Sequence, residues 1–214
     1  MIEPPFTPHD HLAARLLPHS GGNSGDGSHD MSHLLRVWKN VVTIQAIEGG
    51  DAEILAAAVL LHDGVSVEKN SPLRSKASTL AAEKARGILK GLGWADDRID
   101  AVAHAIEAHS YSAGIEPTTI EARILQDADR LDAIGMVGAA RCFYIAGRMQ
   151  SALYDPGDPY AATRPLNDAR YAIDHFKAKL FKLADGFKTE TGRRLADERQ
   201  SRLKRFYDEF LEEI

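Results

Sequence analysis

Apolar side chains recur every three or four residues along most of this chain, and that spacing predicts helices. Leu34, Leu35, Val37, Val41, Val42, Ile44 and Ile47 fit one helix over about 29–48, which Ser28 is placed to cap and Gly49-Gly50 ends. Asp51 is the expected cap of a second, very apolar segment, Ile54 to Leu61, broken by His62-Asp63-Gly64. Its alanines and leucines favour a buried helix over a strand. Further helices are expected over 77–91, 96–109 and 118 to about 133, the last running on past Gly135 to about 147. Two amphipathic helices are expected over 167–186 and 190–212. The prolines and glycine between 152 and 166 predict an irregular excursion. Residues 1–27, with prolines, the Leu12–Leu17 apolar patch and a glycine-serine run, read as a partly looped segment ahead of a domain over 28–214. No alternating strand pattern and no P-loop type of glycine loop is present. The expected class is therefore all-α, a single-domain helical bundle with its site at the centre.

The 214 residues are enough for a sizeable core. The formal net charge of −5 speaks against a general nucleic-acid or membrane-surface binder, while leaving room for one anionic ligand held by local cations. The single cysteine, Cys142, allows no intrachain disulfide and no thiolate metal site, and is expected to be a small buried residue. The first twenty residues lack the pattern of a signal peptide, and no stretch reaches the roughly 18 apolar residues of a membrane span. A cytoplasmic setting is the expectation.

Metal-ligand residue types sit inside four of the apolar segments. His29 and His33 are four apart and can share a helix face. His62 and Asp63 stand together at the end of a run that otherwise calls for burial, which is costly unless something such as a divalent cation pairs them. His104 lies on the 96–109 helix and His109 just past it in the Ala108-His109-Ser110 turn, and Asp127, Asp129 and Asp132 lie in the frame of Ile124, Leu125, Leu131 and Ile134. Asp127 and Asp129 face about 160° apart around a helix, whereas Asp132 shares the face of Asp129. The residues alone leave the choice among these three open.

The stretches HDMSHLLRVWKN, AAAVLLHDG and ILQDADRLDAIG, in this order, resemble the HD-domain superfamily of metal-dependent phosphohydrolases, and most closely its small bacterial members that act on nucleotides. The resemblance extends over about 28–214, through HFKAKLFKLADGFKTETGRRLADERQ. It implies a metal set of His33, His62, Asp63 and Asp129, selecting Asp129 through the pattern Ala-Asp-x-Leu. Two imidazoles and two carboxylates suit Mn, Fe, Co, Ni or Mg as one divalent ion, with two octahedral positions left over and a second metal possible. Some relatives use extra histidines for a second metal or as a proton donor, which points to His109. Others carry a glutamate just after the His-Asp pair. This chain reads Gly64-Val65-Ser66 there, so Glu68 or Asp132 would have to stand in. Lys69 and Arg74 follow the His-Asp pair closely and are placed to hold phosphate oxygens, as is Arg36. His29 and Asp30 are either helix-start residues or supports of the site, and His104 is expected to be structural. His175, Lys179 and Arg193 are expected on a solvated helix face, with closure over a substrate as their alternative role. The implied function is hydrolysis of a phosphate ester or anhydride of a nucleotide, by a pyrophosphohydrolase of nucleoside triphosphates or a nucleotidase. A non-catalytic sensing or scaffold module and a cyclic-nucleotide phosphodiesterase are the alternatives, and a homodimer is an open option.

Overall fold

The computed structural model describes residues 5–21, 30–65, 67, 74–110 and 113–214, with Arg74 described in its backbone only. Among these residues the chain is all-helical, as expected, and the only strand-like pairing is an isolated bridge between Ala152 and Tyr171. The residues fall into two compact units, 1–129 and 130–214.

The first unit is built around a helix that is apolar on every side. α1 (Asp10–Leu16), α2 (Met31–Glu48), α3 (Ala52–Leu61), α4 (Ala77–Gly91), α5 (Asp96–His109) and most of α6 (Ile120–Asp132) belong to it. Every residue from Ile54 to Leu61 is buried. A helix with no polar face has to lie inside the protein, and α1, α2 and α5 all pack on α3. Asp51 caps it as expected, accepting from the Glu53 and Ile54 amides at 2.9 and 3.0 Å. Arg98 of α5 pairs with the same carboxylate at 2.9 Å, and Glu121 of α6 accepts the Asp51 amide at 2.9 Å. The start of α3 is thereby tied to both neighbours.

The cap of α2 is Asp30, which accepts from the Ser32 and His33 amides at 2.9 and 3.2 Å. Ser28, the expected cap, lies outside the described residues. The apolar patch near the N-terminus is a helix, α1, where a partly looped segment was expected. Leu16 is fully buried, and Phe6 is buried against Trp38 of α2.

In the second unit, α7 (Gly135–Arg148) packs on α9 (Glu190–Glu212). Phe143, Phe176, Phe206 and Phe210 fill the space between them, with Phe176 and Phe206 stacked at 5.9 Å. Two expectations fail here. The helix begun at Ile120 does not continue past Gly135: it ends at Asp132, Ile134 is extended, and Gly135 takes φ +71. Nor does one long helix span 167–186, where only α8 (Asp174–Ala178) and a 3-10 turn at Leu180–Lys182 form. Backbone groups of 170–173 are spent on Ala152 and Leu153 instead, and the Asp174 carboxylate holds the Asn167 amide at 2.7 Å and the Arg164 guanidinium. Side-chain and backbone competition of this kind defeats helical periodicity. The 152–166 excursion is irregular, as expected.

Candidate metal centre

Three helices of the first unit deliver the four residues. His33 is in the first turn of α2, His62 and Asp63 form the turn that ends α3, and Asp129 is in the last turn of α6. The Nε2 atoms of His33 and His62 are 3.3 Å apart. Asp63 Oδ2 is 3.5 Å from His33 Nε2 and 3.3 Å from His62 Nε2, and Asp129 Oδ1 is 3.5 and 3.9 Å from the same two atoms. Both imidazoles are buried, while the Asp63 and Asp129 side chains are 33% and 28% exposed. The cluster is thus closed on its histidine side and open on its carboxylate side.

The tautomers follow from the backbone. His62 Nδ1 lies 2.8 Å from the Val59 carbonyl, which can only accept, so that nitrogen carries a proton and Nε2 is the nitrogen turned to the cluster. His109 repeats the arrangement at the end of α5, with Nδ1 2.6 Å from the Ile106 carbonyl. Its ring meets that of His62 edge-on at 4.9 Å. His33, His62 and Asp129 form one group with metal-ligand spacing, and His62, Asp63 and His109 form a second that shares His62 with it.

The electrostatics agree with a cation site. Burial works against the Asp63 charge, yet the His62 and His33 imidazoles hold its carboxyl well below the usual range. Burial opposes protonation of His62, but the charge of Asp63, with that of Asp129, raises its pKa. His109 is pushed down by burial and by His62. Two imidazole nitrogens at 3.3 Å flanked by two carboxylates need a positive charge among them. The N₂O₂ donor set fits a divalent transition ion or magnesium. Expected ligand distances of about 2.0–2.2 Å are within reach of nitrogen and oxygen atoms so spaced.

The other site expectations fare differently. Asp132 is buried and takes Arg141 at 2.8 Å, outside both groups, and Asp127 is buried outside them as well. Arg36 is held by Ser32 Oγ at 2.8 Å, one turn along α2 from His33. Asp30 is a helix cap. His104 accepts the Thr118 amide at 3.0 Å, a structural role. His175 pairs with Asp168 and Arg193 with the Phe187 carbonyl, both within the second unit. Cys142 is buried, and burial, with the charge of Asp168, pushes its thiol up to about 11. His29, Glu68, Lys69 and the Arg74 side chain lie outside the described residues.

Sequence patterns missed the backing of the Asp63 turn. Lys84 Nζ donates to the Gly64 carbonyl at 2.7 Å and to the His19 carbonyl at 3.3 Å. Gly21, at φ +76, sits where a Cβ would come within 2.5 Å of the Asp63 carbonyl. An N-terminal segment and a lysine on α4 therefore press on the turn that carries Asp63. The glycine at 21 was a visible signal, but nothing in its neighbourhood pointed to residue 63.

Comparison with known proteins agrees with this geometry. The HD domain family matches residues 31–134, which contain all four residues. The uncharacterised protein YpgQ of Bacillus subtilis is 33% identical over 190 residues, covering 87% of this chain and 84% of its own. Its crystal structure in complex with ADP superposes with a TM-score of 0.71 at 31% identity, over 96% of this chain and 97% of that one. An HD-superfamily hydrolase from Bacillus thuringiensis superposes with a TM-score of 0.73 at 28% identity, over 96% and 97% of the two chains. With the ordered His, His-Asp, Asp set gathered in one place and a relative of this identity and coverage, the chain belongs to the HD-domain superfamily.

Proposed function

We propose that this protein hydrolyses a phosphate ester or anhydride of a nucleotide with the aid of a divalent cation held by His33, His62, Asp63 and Asp129. The observation that carries this reading is that three helices bring the Asp63 and Asp129 carboxylates to within 3.3–3.9 Å of the His33 and His62 Nε2 atoms, which are themselves 3.3 Å apart. When bound, such a cation supplies Lewis-acid polarisation of a phosphoryl oxygen and lowers the pKa of a water.

The chain's own residues do the rest. His33 and His62 hold neutral nitrogen donors in a dry wall, and Asp63 and Asp129 bring negative charge to the open side. His109 offers an Nε2 lone pair, because its Nδ1 proton is committed to Ile106. It therefore suits a ligand or a proton acceptor better than a proton donor, which burial would oppose. Arg36, Lys69 and Arg74 are the cations proposed to orient phosphate oxygens. A nucleotide as substrate is supported by the resemblance to nucleotide-acting relatives and by the ADP bound to Bacillus subtilis YpgQ. Among nucleotides, that resemblance favours a nucleoside triphosphate cleaved to monophosphate and pyrophosphate.

The test is a panel of nucleoside triphosphates, monophosphates and cyclic nucleotides, incubated with protein loaded with Mn²⁺, Co²⁺, Ni²⁺ or Mg²⁺, with products separated by chromatography. Monophosphate with pyrophosphate is the expected product pair. Nucleoside with inorganic phosphate would make it a nucleotidase. Metal-loaded protein that turns over no member of the panel would overturn hydrolysis and leave the sensing or scaffold role.

A further inference from the structure

Two buried amides each hydrogen-bond the carbonyl of the residue just before a candidate site residue. Asn40 lies seven residues after His33 on α2, on the same helix face two turns along. Its Nδ2 donates to the Ala128 carbonyl at 2.9 Å, immediately before Asp129 on α6. Gln126 lies three residues before Asp129 on the same helix. Its Nε2 donates to the Ala108 carbonyl at 2.7 Å, immediately before His109 at the end of α5. Both side chains are buried, as are Ala128 and Ala108.

We propose that Asn40 and Gln126 are positioning residues, which fix α2, α6 and α5 in register so that His33, Asp129 and His109 arrive together. This rests on the metal-site reading above. Apolar packing alone lets neighbouring helices slide by fractions of an ångström, whereas a directed hydrogen bond to one carbonyl does not. Ligand distances tolerate only about 0.2 Å, so small slips matter at this place.

Folding stability alone does not account for Gln126. Its Oε1 is buried and has no hydrogen-bond partner among the described residues. A side chain of similar length with no polar atoms would avoid that cost while giving up the Ala108 bond. The two effects oppose each other, so exchanging the amide should change stability little and metal binding much.

Full-length Asn40→Leu and Gln126→Met proteins are compared with wild type and with Leu89→Ala. Leu89 is a fully buried residue of α4, a helix that carries none of the four proposed metal ligands, and it lies more than a turn beyond Lys84. Mn²⁺ alone is the probe, titrated calorimetrically, alongside the melting temperature, kcat and KM. Both amide variants are expected to bind Mn²⁺ roughly 10- to 100-fold more weakly, in the range seen when supports of metal ligands are removed. Leu89→Ala is expected to melt lower yet bind Mn²⁺ as wild type does. Should either variant not fold, Asn40→Ser and Gln126→Asn, which shorten the reach of the donor, are measured with the same expectation. Unchanged Mn²⁺ affinity in the amide variants overturns the proposal, as does an equal loss in Leu89→Ala. Wild-type protein that takes up no divalent cation would instead remove the metal-site reading, and this proposal with it.

Discussion

Asp63 shows how much one side chain can carry here. Its carboxylate lies within 3.5 Å of both imidazoles and faces the open side of the cluster. Asp63→Ala should release the metal and cut hydrolysis by more than about 100-fold. The circular dichroism spectrum should stay near native, because the residue sits in a turn after α3 rather than in its packed interior. Metal content by atomic absorption and initial rates check this together. The His62-Asp63 pair was legible in the sequence because two polar residues close an otherwise apolar run. The choice among Asp127, Asp129 and Asp132 was not, since all three lie on one helix and only the resemblance separated them. In the structure Asp129 faces the two histidines and Asp132 answers Arg141. Asp174, in the second unit, gives a prediction of a different kind. Burial opposes its charge, but the Arg164 guanidinium and the Asn167 amide outweigh that and hold its pKa below the ordinary value. The pair therefore stabilises the fold above the ordinary carboxylate pKa, and the gain fades as pH falls through the lowered value. Arg164→Met should lower the melting temperature most at about pH 7, with a deficit that shrinks towards about pH 3. Parallel thermal scans at the two pH values measure it, and a deficit independent of pH would show the pair is not its source.

At the scale of helices, caps and termini decide more than periodicity does. Asp51 is the clearest case, a single carboxylate capping α3 and receiving Arg98. Asp51→Ala should cost about 1 kcal/mol in urea unfolding, the usual value of a lost N-cap. Because the paired carboxyl has a lowered pKa, the loss should fade as pH falls through that value. α4, α5 and α9 were legible in the sequence because each has an apolar rhythm over its length, and α3 because Asp51 caps a run of alanines and leucines that His62-Asp63-Gly64 closes. α1 was hidden among prolines and histidines. The break between α6 and α7 was hidden as well: the apolar spacing runs straight through it, and only the φ of Gly135 marks the turn. The segment before α8 failed for the opposite reason. Its pattern was helical, but its backbone groups had better partners at Ala152 and Leu153.

For the whole molecule, the proposed metal site would make stability a function of metal. A cation bound by the native state and not by the unfolded chain, at 100 times its dissociation constant, adds about 2.7 kcal/mol. For a chain of this length each kcal/mol shifts the midpoint by about 2–4 °C. Saturating Mn²⁺ should therefore raise the melting temperature by about 5–10 °C, and a chelator should reverse it. Scanning calorimetry with and without chelator tests this. No shift with any divalent ion would mean that the four residues hold none.

The wholly apolar surface of α3 has a kinetic consequence. Amide protons from Leu55 to Leu61 have no route to solvent short of opening the first unit, so they should be among the last to exchange with deuterium. His62 and Asp63 hang from the end of that slow segment. His33, by contrast, sits in the first turn of α2, beside a cap at Asp30 that faces water and can fray on its own. Deuterium uptake should then split the site in time, the α2 ligand loosening early and the α3 pair staying put. If the site holds a cation as proposed, loosening at His33 would release one ligand without the core coming apart.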